Sequence, residues 1–219
     1  QDIVLNTCRR NGLSDGYIRL IVTRGVGTLG LDPKRCPKPS IICIVDKLAI
    51  YPKEFYDRGL ALLTVSTRRN IGTALDPQTK TMNYLNNILA KLEAERSGFE
   101  EALMLNAEGY VAEAAADNLF IIAGDRLLTP ATYLGALPGI TRAAVLEIAS
   151  EFGLKTEETH ITLPDVYCAE ECFLTGTAAE VIPVIEVDGR KIGDGKPGPQ
   201  TKQLIERFHR LTREEGTSF

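Results

Sequence analysis

Lys80 is the residue of this sequence best suited to nucleophilic chemistry. It stands directly before a predicted helix, in the segment Lys80-Thr81-Met82-Asn83-Tyr84-Leu85. Because the positive end of a helix dipole disfavours a cation, we expect the neutral amine to be favoured there, and a neutral amine can form a Schiff base. Lys91, in mid-helix with Glu95 four residues later, is typical of a solvated surface pair. Taken alone, Lys80 still fits an ordinary surface lysine better.

A glycine-rich segment raises a second chemical hypothesis, the binding of a dinucleotide. Gly25-Val26-Gly27-Thr28-Leu29-Gly30 follows a predicted strand and matches the G-x-G-x-x-G pattern. That pattern needs a helix whose N-terminus holds the pyrophosphate, but Leu31-Asp32-Pro33 follows here, and Pro33 restricts Asp32 to extended geometry. We therefore expect a connecting loop and no dinucleotide site.

The five cysteines are odd in number and irregularly spaced, which predicts reduced thiols rather than a disulfide framework. Cys168 and Cys172 lie four residues apart with His160 upstream. A closed metal site needs a fourth donor, and the sequence offers none at a suitable spacing. We predict small buried thiols and no metal.

The elements that must position these residues fall into two groups. The first group is a helix that stops at Asn11-Gly12 and two β-rich strands: residues 2–10, 17–23 and 41–45. We expect residues 1–47 to be the remainder of a small N-terminal α/β domain, residues 48–52 to be a linker, and residues 53–219 to form one larger domain.

In the larger domain, strand and helix signals alternate, which predicts a mixed sheet in an α/β fold. The predicted strands are residues 60–66, 102–105, 110–112, 118–122 and 172–175, and the predicted helices are residues 84–98, 140–152 and 201–211. Asn106-Ala107-Glu108-Gly109 predicts a hairpin turn, Pro138 lies at the start of the second helix, and Gly153 stops it.

The composition excludes several classes of function. Of 219 residues, 44% are hydrophobic and 25% are charged, as in a folded globular protein. A net charge of −4 provides no basic field for a nucleic acid. No apolar run approaches the roughly 20 residues that cross a bilayer, and the N-terminus shows no signal peptide. We expect a cytoplasmic protein without nucleic-acid or membrane partners.

Four segments, in this order along the chain, resemble the motifs of fold-type IV pyridoxal-phosphate aminotransferases. They are residues 80–94 (KTMNYLNNILAKLEA), 113–120 (EAAADNLF), 137–142 (LPGITR) and 176–184 (GTAAEVIPV). The resemblance extends over essentially the whole chain. Tyr17-Ile18-Arg19 and the turn at 176–180 are similar to the versions of the branched-chain amino-acid aminotransferases. The resemblance implies a two-domain fold and pyridoxal 5′-phosphate as the cofactor.

The resemblance also implies roles for individual residues. Lys80 would bind the cofactor covalently and act as the catalytic group, and Glu113 would face the pyridine nitrogen and keep it protonated. The implied cofactor contacts are Lys80, Tyr84, Glu113, Leu137, Ile140, Thr141 and Thr177, and the implied substrate contacts are Tyr17, Arg19, Thr177 and Ala178. On sequence alone, Glu113 also fits a surface carboxylate, and Ile140 and Thr141 fit a plain helix start. Thr177 and Ala178 fit a tight turn, and Tyr17 and Arg19 fit an ordinary strand.

The reaction that the resemblance implies is reversible transfer of an amino group between L-leucine, L-isoleucine or L-valine and 2-oxoglutarate. Its partners would be small amino and 2-oxo acids, in a homodimer or higher homo-oligomer. Three alternatives stay open: an aminodeoxychorismate lyase, a D-amino-acid aminotransferase, and a truncated chain without catalytic activity.

One departure from the family concerns the N-terminus. The family's first segment carries an arginine that clamps the cofactor phosphate, and it has no counterpart here because the sequence opens at Gln1-Asp2-Ile3. Loss of such a charge-assisted contact is expected to cost roughly 1.5–3 kcal/mol of cofactor binding unless another chain supplies it.

Overall fold

The computed structural model describes residues 1–13, 15–47 and 51–217. The chain divides into two compact units, one of Gln1–Ile50 with Gly216–Phe219 and one of Tyr51–Glu215. Most of the predicted linker, residues 48–50, lies outside the described residues. The assignment of residues 1–47 and 53–219 to a small domain and a cofactor-binding domain stays a prediction.

The smaller unit contains one helix and a two-stranded antiparallel sheet. The helix is α1 (Asp2–Asn11), and the strands are β1 (Tyr17–Thr23) and β2 (Ser40–Asp46). Between the strands, the glycine-rich segment leads into a three-residue 3-10 turn, Pro33–Arg35, after an extended Asp32. The next elements of the described chain are this turn and then β2, not an α-helix, so the prediction of a connecting loop is confirmed.

The larger unit is built on a nine-stranded mixed sheet. Its strands are β3 (Leu60–Thr64), β4 (Glu101–Leu105), β5 (Val111–Ala114), β6 (Asn118–Ala123), β7 (Arg126–Pro130), β8 (Lys155–Thr159), β9 (Glu171–Gly176), β10 (Glu180–Val187) and β11 (Arg190–Lys191). The order is β5-β4-β3-β10-β9-β6-β7-β8, and β11 pairs with β10. Parallel pairs (β3/β4, β3/β10 and β7/β8) are combined with antiparallel ones, which confirms the predicted mixed α/β sheet.

Helices connect and cover these strands. They are α2 (Lys53–Arg58), α3 (Gly72–Leu75), α4 (Leu85–Arg96), α5 (Ile140–Ala149), α6 (Leu163–Tyr167) and α7 (Pro199–Glu214). A 3-10 turn, Ser150–Phe152, extends α5 to Gly153, as the sequence predicts. Among the described residues, none of these helices is both long and apolar enough to cross a membrane.

The core lies on both faces of the large sheet, because successive side chains of a strand point to opposite faces. On one face, Phe120 and Phe173 stack with their ring centroids 5.0 Å apart and belong to a buried cluster with residues of α5 and α7. On the other face, Leu119 and Leu174 belong to a second cluster, against which side chains of α2 and α6 pack.

Helix α4 differs from its prediction in two ways. It begins at Leu85, five residues after Lys80, whereas the effect of a helix dipole falls off within the first turn. The helix-dipole argument for Lys80 is therefore wrong. Lys91 is not a solvated surface residue either, because its Nζ lies 2.8 Å from Oε2 of the buried Glu101.

Candidate functional site

A buried carboxylate, Glu113, is the centre of the candidate site. Its Oε1 pairs with Arg69 Nη2 at 2.6 Å, and its Oε2 accepts hydrogen bonds from the Leu137 N–H at 2.8 Å and from Asn118 Nδ2 at 3.0 Å. Burial raises the pKa of Glu113, whereas the Arg69 guanidinium and the Leu137 N–H lower it. Burial is the largest of these effects, but all of the partners are donors, so the hydrogen-bond geometry suits the ionised carboxylate.

Arg69 is held in place by the loops around it. Its Nε donates to the Gly135 carbonyl at 3.1 Å, and its Nη1 donates to Asn87 Oδ1 at 3.1 Å. Asn87 in turn donates to the Ala115 carbonyl at 2.6 Å. The positive charge beside Glu113 is therefore fixed by residues of α4, the loop after β5 and the loop before α5.

The start of α5 offers a second feature of the site, a set of free backbone N–H groups. Gly139 caps this ten-residue helix without a side-chain hydrogen bond, so the first N–H groups, those of Ile140 and Thr141, have no partner within the helix. A Cβ at Gly139 would overlap Asn118 Oδ1, so glycine is required where the chain passes this side chain. Uncapped N–H groups at a helix start favour an anion.

The turn between β9 and β10, residues 176–180, is the third feature, and it is tied to neighbouring elements. Gly176 passes so close to Asp117 Oδ1 that a Cβ would overlap it. The Ala179 carbonyl accepts a hydrogen bond from Tyr56 Oη at 3.1 Å, and Glu180 Oε2 lies 2.7 Å from His209 Nε2. Glu180 itself has a φ of 55°, a left-handed conformation that only an over-determined turn maintains.

Lys80 ends a short 3-10 turn, Pro77–Thr79, in a left-handed conformation with φ 45° and ψ 48°. Its side chain is exposed. Beside the larger effects of burial and Arg69, the charge of Lys80 lowers the pKa of Glu113, so the two residues share one electrostatic environment. Tyr84 caps the start of α4 and is 45% exposed.

The predicted site residues thus divide between the two units. Lys80, Tyr84, Glu113, Leu137, Ile140, Thr141, Thr177 and Ala178 all belong to the larger unit. Tyr17 and Arg19 belong to β1 of the smaller unit, where the Arg19 guanidinium carbon lies 5.8 Å from the centre of the Tyr17 ring. The assignment of Tyr17 and Arg19 to the substrate pocket stays a prediction.

Two residues that contact Glu113, Asn118 and Arg69, carry no sequence signal of that contact. Asn118 lies in the segment EAAADNLF and is the first residue of a predicted strand, which indicates nothing about Glu113. Arg69 adjoins Arg68, and the two look alike in sequence although only Arg69 is buried. The long separation of Arg69 from Glu113 leaves no local pattern by which to find the pair.

Comparison with known proteins decides the family. The sequence model of the amino-transferases of class IV matches residues 1–187. The chain belongs to the class IV aminotransferases. It is 47% identical to a putative branched-chain-amino-acid aminotransferase of Methanocaldococcus jannaschii over 94% of this chain and 71% of that protein. A branched-chain-amino-acid aminotransferase-like protein of Arabidopsis thaliana is 39% identical over 99% of this chain, which spans only 39% of the plant protein.

Solved structures of this class agree. The crystal structure of the Escherichia coli branched-chain amino acid aminotransferase superimposes with a TM-score of 0.92 at 32% identity, over 96% of this chain and 70% of that one. The T.th. branched-chain amino acid aminotransferase, solved with pyridoxamine 5′-phosphate, gives a TM-score of 0.89 at 35% identity, over 94% of this chain and 68% of that one. These matches confirm the predicted fold, the enzyme class and pyridoxal phosphate as the cofactor.

The residues of this class IV chain fit that cofactor. A carboxylate accepts about four hydrogen bonds, and Glu113 uses three directions, so one remains for a protonated ring nitrogen. The uncapped start of α5 suits a phosphate, and the turn at 176–180 adds Thr177, whose side chain is exposed. Lys80 supplies an exposed amine in the same electrostatic environment as Glu113.

Proposed function

We propose that this protein transfers the amino group of L-leucine, L-isoleucine or L-valine to 2-oxoglutarate, with pyridoxal phosphate bound to Lys80. The single observation that carries the proposal is the buried, ion-paired Glu113 with one accepting direction left and with Lys80 in its field. The names of relatives up to 47% identical support the substrate class. When bound, pyridoxal phosphate supplies an electron sink for the electrons of the broken bond at the substrate's α-carbon.

In this proposal, Glu113 and Lys80 have complementary tasks. Glu113 holds a proton on the pyridine nitrogen, because an ionised carboxylate within a hydrogen bond favours the charged ring. Arg69 opposes the effect of burial and so favours the ionised form of Glu113. Lys80 Nζ would hold the cofactor and, as a free amine, would move the proton at the substrate's α-carbon as general base and general acid.

The remaining predicted residues bind and orient. Leu137, Ile140, Thr141 and Thr177 hold the cofactor, the latter three at its phosphate, through N–H and hydroxyl groups. Tyr84 hydrogen-bonds the ring hydroxyl. The N–H groups of the turn at Thr177 and Ala178 receive the substrate carboxylate, and Tyr17 and Arg19 border the pocket for its side chain.

We also propose that the protein acts as a homodimer. Helix α4 and the residue before it carry large apolar side chains that are at least 38% exposed in the isolated chain: Tyr84, Leu85, Ile88, Leu89 and Leu92. A contiguous apolar surface of this kind is typical of a protein interface. It runs along the helix that follows the predicted catalytic lysine, so an interface there would also cover the approach to the site.

The decisive experiment is an absorption spectrum of the purified protein with pyridoxal phosphate, before and after borohydride, for the wild type and for Lys80→Ala. We expect a band near the visible edge that borohydride traps on Lys80, that L-leucine bleaches, and that 2-oxoglutarate restores. Lys202→Ala, on the exposed face of α7, is the matched control and is expected to behave as wild type.

Each other outcome points to a different conclusion. A band in Lys80→Ala with unchanged trapping would overturn the assignment of the lysine. Bleaching by D-leucine alone would favour a D-amino-acid aminotransferase, and release of pyruvate from aminodeoxychorismate without an amino acceptor would favour the lyase. A folded protein that binds no cofactor would favour a chain without catalytic activity.

A further inference from the structure

A buried acidic cluster lies beside the turn at 176–180 and has no task in the proposed reaction. Tyr51 Oη lies 2.9 Å from Glu101 Oε2 and 3.1 Å from Asp117 Oδ2, and Lys91 Nζ lies 2.8 Å from Glu101 Oε2. Glu101 and Asp117 are 2% and 6% exposed. We call these four residues the Asp117 cluster.

The cluster holds two carboxyl groups but only one cation, counted among the described residues. Lys91 pairs with Glu101, which leaves Asp117 without a positive partner. Tyr51 has a single phenolic proton, so it cannot donate to both carboxylates at once. A further proton on one carboxyl group resolves this shortage, and Asp117 is the group without a cation.

The surroundings of Asp117 favour the same assignment. Burial raises the pKa of Asp117 to about 7, and the charge of Glu101 acts in the same direction. The Tyr51 hydrogen bond and the Lys91 charge lower this pKa, and the charge of Glu113 raises it. These groups lie on the segment before α2 and on α4, β4 and β5, the elements that surround Asp117.

Asp117 also touches the turn that is expected to bind the substrate carboxylate. Its Oδ1 lies against Gly176, where no Cβ could be accommodated. Tyr56 contacts the same turn, because its Oη donates to the Ala179 carbonyl. Burial raises the pKa of Tyr56 to about 12, and the charges of Glu180 and Asp117 contribute, so the field of Asp117 extends across the turn.

We propose that Asp117 is a positioning residue that must carry a proton for the turn at 176–180 to bind the α-carboxylate of the substrate. This inference rests on the proposed function. An ionised Asp117 would place a negative charge directly beside the turn that is to bind the substrate carboxylate. The negative charge of Glu113 would lie close to it. Proton binding to Asp117 and carboxylate binding to the turn therefore support each other.

The test uses the protein loaded with pyridoxamine 5′-phosphate, in which Lys80 is free, and 4-methylvalerate as the probe. The probe has a branched chain and a carboxylate but no amino or keto group that titrates near neutrality. Its Kd is followed through the cofactor absorbance between pH 6 and pH 8.5. We expect the Kd of the wild type to rise about tenfold, as one buried charge brought near an anion implies.

Asp117→Asn keeps the shape of the side chain but cannot ionise, so its Kd is expected to stay flat over this range. Asp125→Asn, in the exposed turn between β6 and β7, is the matched control and should keep the wild-type slope. If the role of Asp117 is purely structural, the Kd of Asp117→Asn will instead exceed that of the wild type by the same factor at every pH. That result, or a flat wild type, overturns the inference.

Tyr51→Phe provides an independent check if Asp117→Asn does not fold. It removes a hydrogen bond that lowers the pKa of Asp117, so the midpoint of the Kd increase is expected to move to higher pH. An unmoved midpoint contradicts the inference. An infrared titration of the protonated carboxyl stretch needs no substrate, and we expect a band that disappears near neutrality in the wild type and is absent from Asp117→Asn.

These measurements separate the two proposals. If the wild type binds neither 4-methylvalerate nor L-leucine at any pH, the proposed function fails. If it binds them without the predicted pH dependence, or if the infrared band does not titrate, only the role of Asp117 fails.

Discussion

At the scale of single residues, the ion pair between Arg69 and Glu113 decides what the site can do. Both side chains are almost fully buried, and the pair is supported by hydrogen bonds at each end. An unpaired charge in such a place is costly, whereas a paired one keeps a carboxylate ready for the cofactor nitrogen. Arg69 thus acts through Glu113 and is a positioning residue.

This leads to a prediction for a pair of adjacent arginines. Arg69→Met should lower the free energy of unfolding by ~3–5 kcal/mol at about pH 8, because it leaves Glu113 buried without its cation. Arg68→Met, on an exposed neighbour, should change it by less than about 0.5 kcal/mol. Urea unfolding of the two variants measures both values.

The pH dependence of the same variant provides a control. Arg69 lowers the pKa of Glu113, so in Arg69→Met the carboxyl takes up a proton more readily. The loss of stability should therefore shrink as the pH falls toward about 4.5 and stay constant below that value, where the carboxyl is protonated in the folded and the unfolded chain alike. A loss that is equal at about pH 4 and about pH 8 would show that Arg69 contributes packing rather than charge.

At the scale of elements, close approaches of the backbone set the positions of the anion-binding groups. Gly139 passes Asn118 at the start of α5, and Gly176 passes Asp117 at the end of β9. Neither glycine has a positive φ, so both positions require glycine only because a side chain would not fit. Adding one methyl group at either position would therefore displace the start of α5 or the turn at 176–180 without straining the backbone dihedral angles.

We predict that Gly176→Ala raises the KM for 2-oxoglutarate at least about tenfold, because the turn at 176–180 must move away from Asp117. Gly72→Ala is the matched control, since a Cβ there meets nothing within 4 Å and its φ is also not positive. Steady-state kinetics with L-leucine test both variants. Equal KM values in the two variants would mean that this turn does not contact the substrate.

At the scale of the whole molecule, the burial of Asp117 affects stability as well as binding. The pKa of Asp117 is raised from 3.8 to about 7 in the folded protein. Between these values the folded state holds a proton that the unfolded state has released, so stability falls as pH rises from about 4 to about 7. Below about pH 4 the two states bind the proton equally.

The corresponding prediction compares Asp117→Asn with the wild type. The free energy of unfolding of the wild type, relative to the variant, should fall by up to ~4 kcal/mol between about pH 4 and about pH 7.5. Because other groups titrate in both proteins, the difference isolates Asp117. A constant difference across this range would mean that Asp117 is ionised in the folded protein.

The exposed apolar face of α4 leads to a prediction about assembly. Leu85→Glu combined with Leu89→Glu should convert the expected dimer into a monomer, because two charges would be buried in an apolar interface. Gln203→Glu, on the exposed surface of α7, should leave the dimer intact. Sedimentation velocity at several concentrations distinguishes the states, and a double variant that stays dimeric would place the interface elsewhere.

Elements with strong local signals could be predicted from the sequence. The hairpin around Asn106 and Gly109, the strands β1 and β2, and the helix that begins after Pro138 are all present close to their expected bounds. The sequence analysis predicts no strand for β7, β8, β10 or β11. The segments of β8 and β11 are short and rich in charged residues, without a clear period of two, and they become strands because a neighbouring strand offers them a partner.

By itself, the sequence determined the family, the cofactor and the residue types of the site, because these depend on local motifs around Lys80, Glu113, Ile140 and Thr177. The tertiary structure decided which charges meet. Arg69 reaches Glu113, and Tyr51 joins Glu101 to Asp117, across separations of tens of residues along the chain. Such pairs leave no periodic pattern, since their energy arises from burial and proximity that exist only once the sheet has brought the strand ends together.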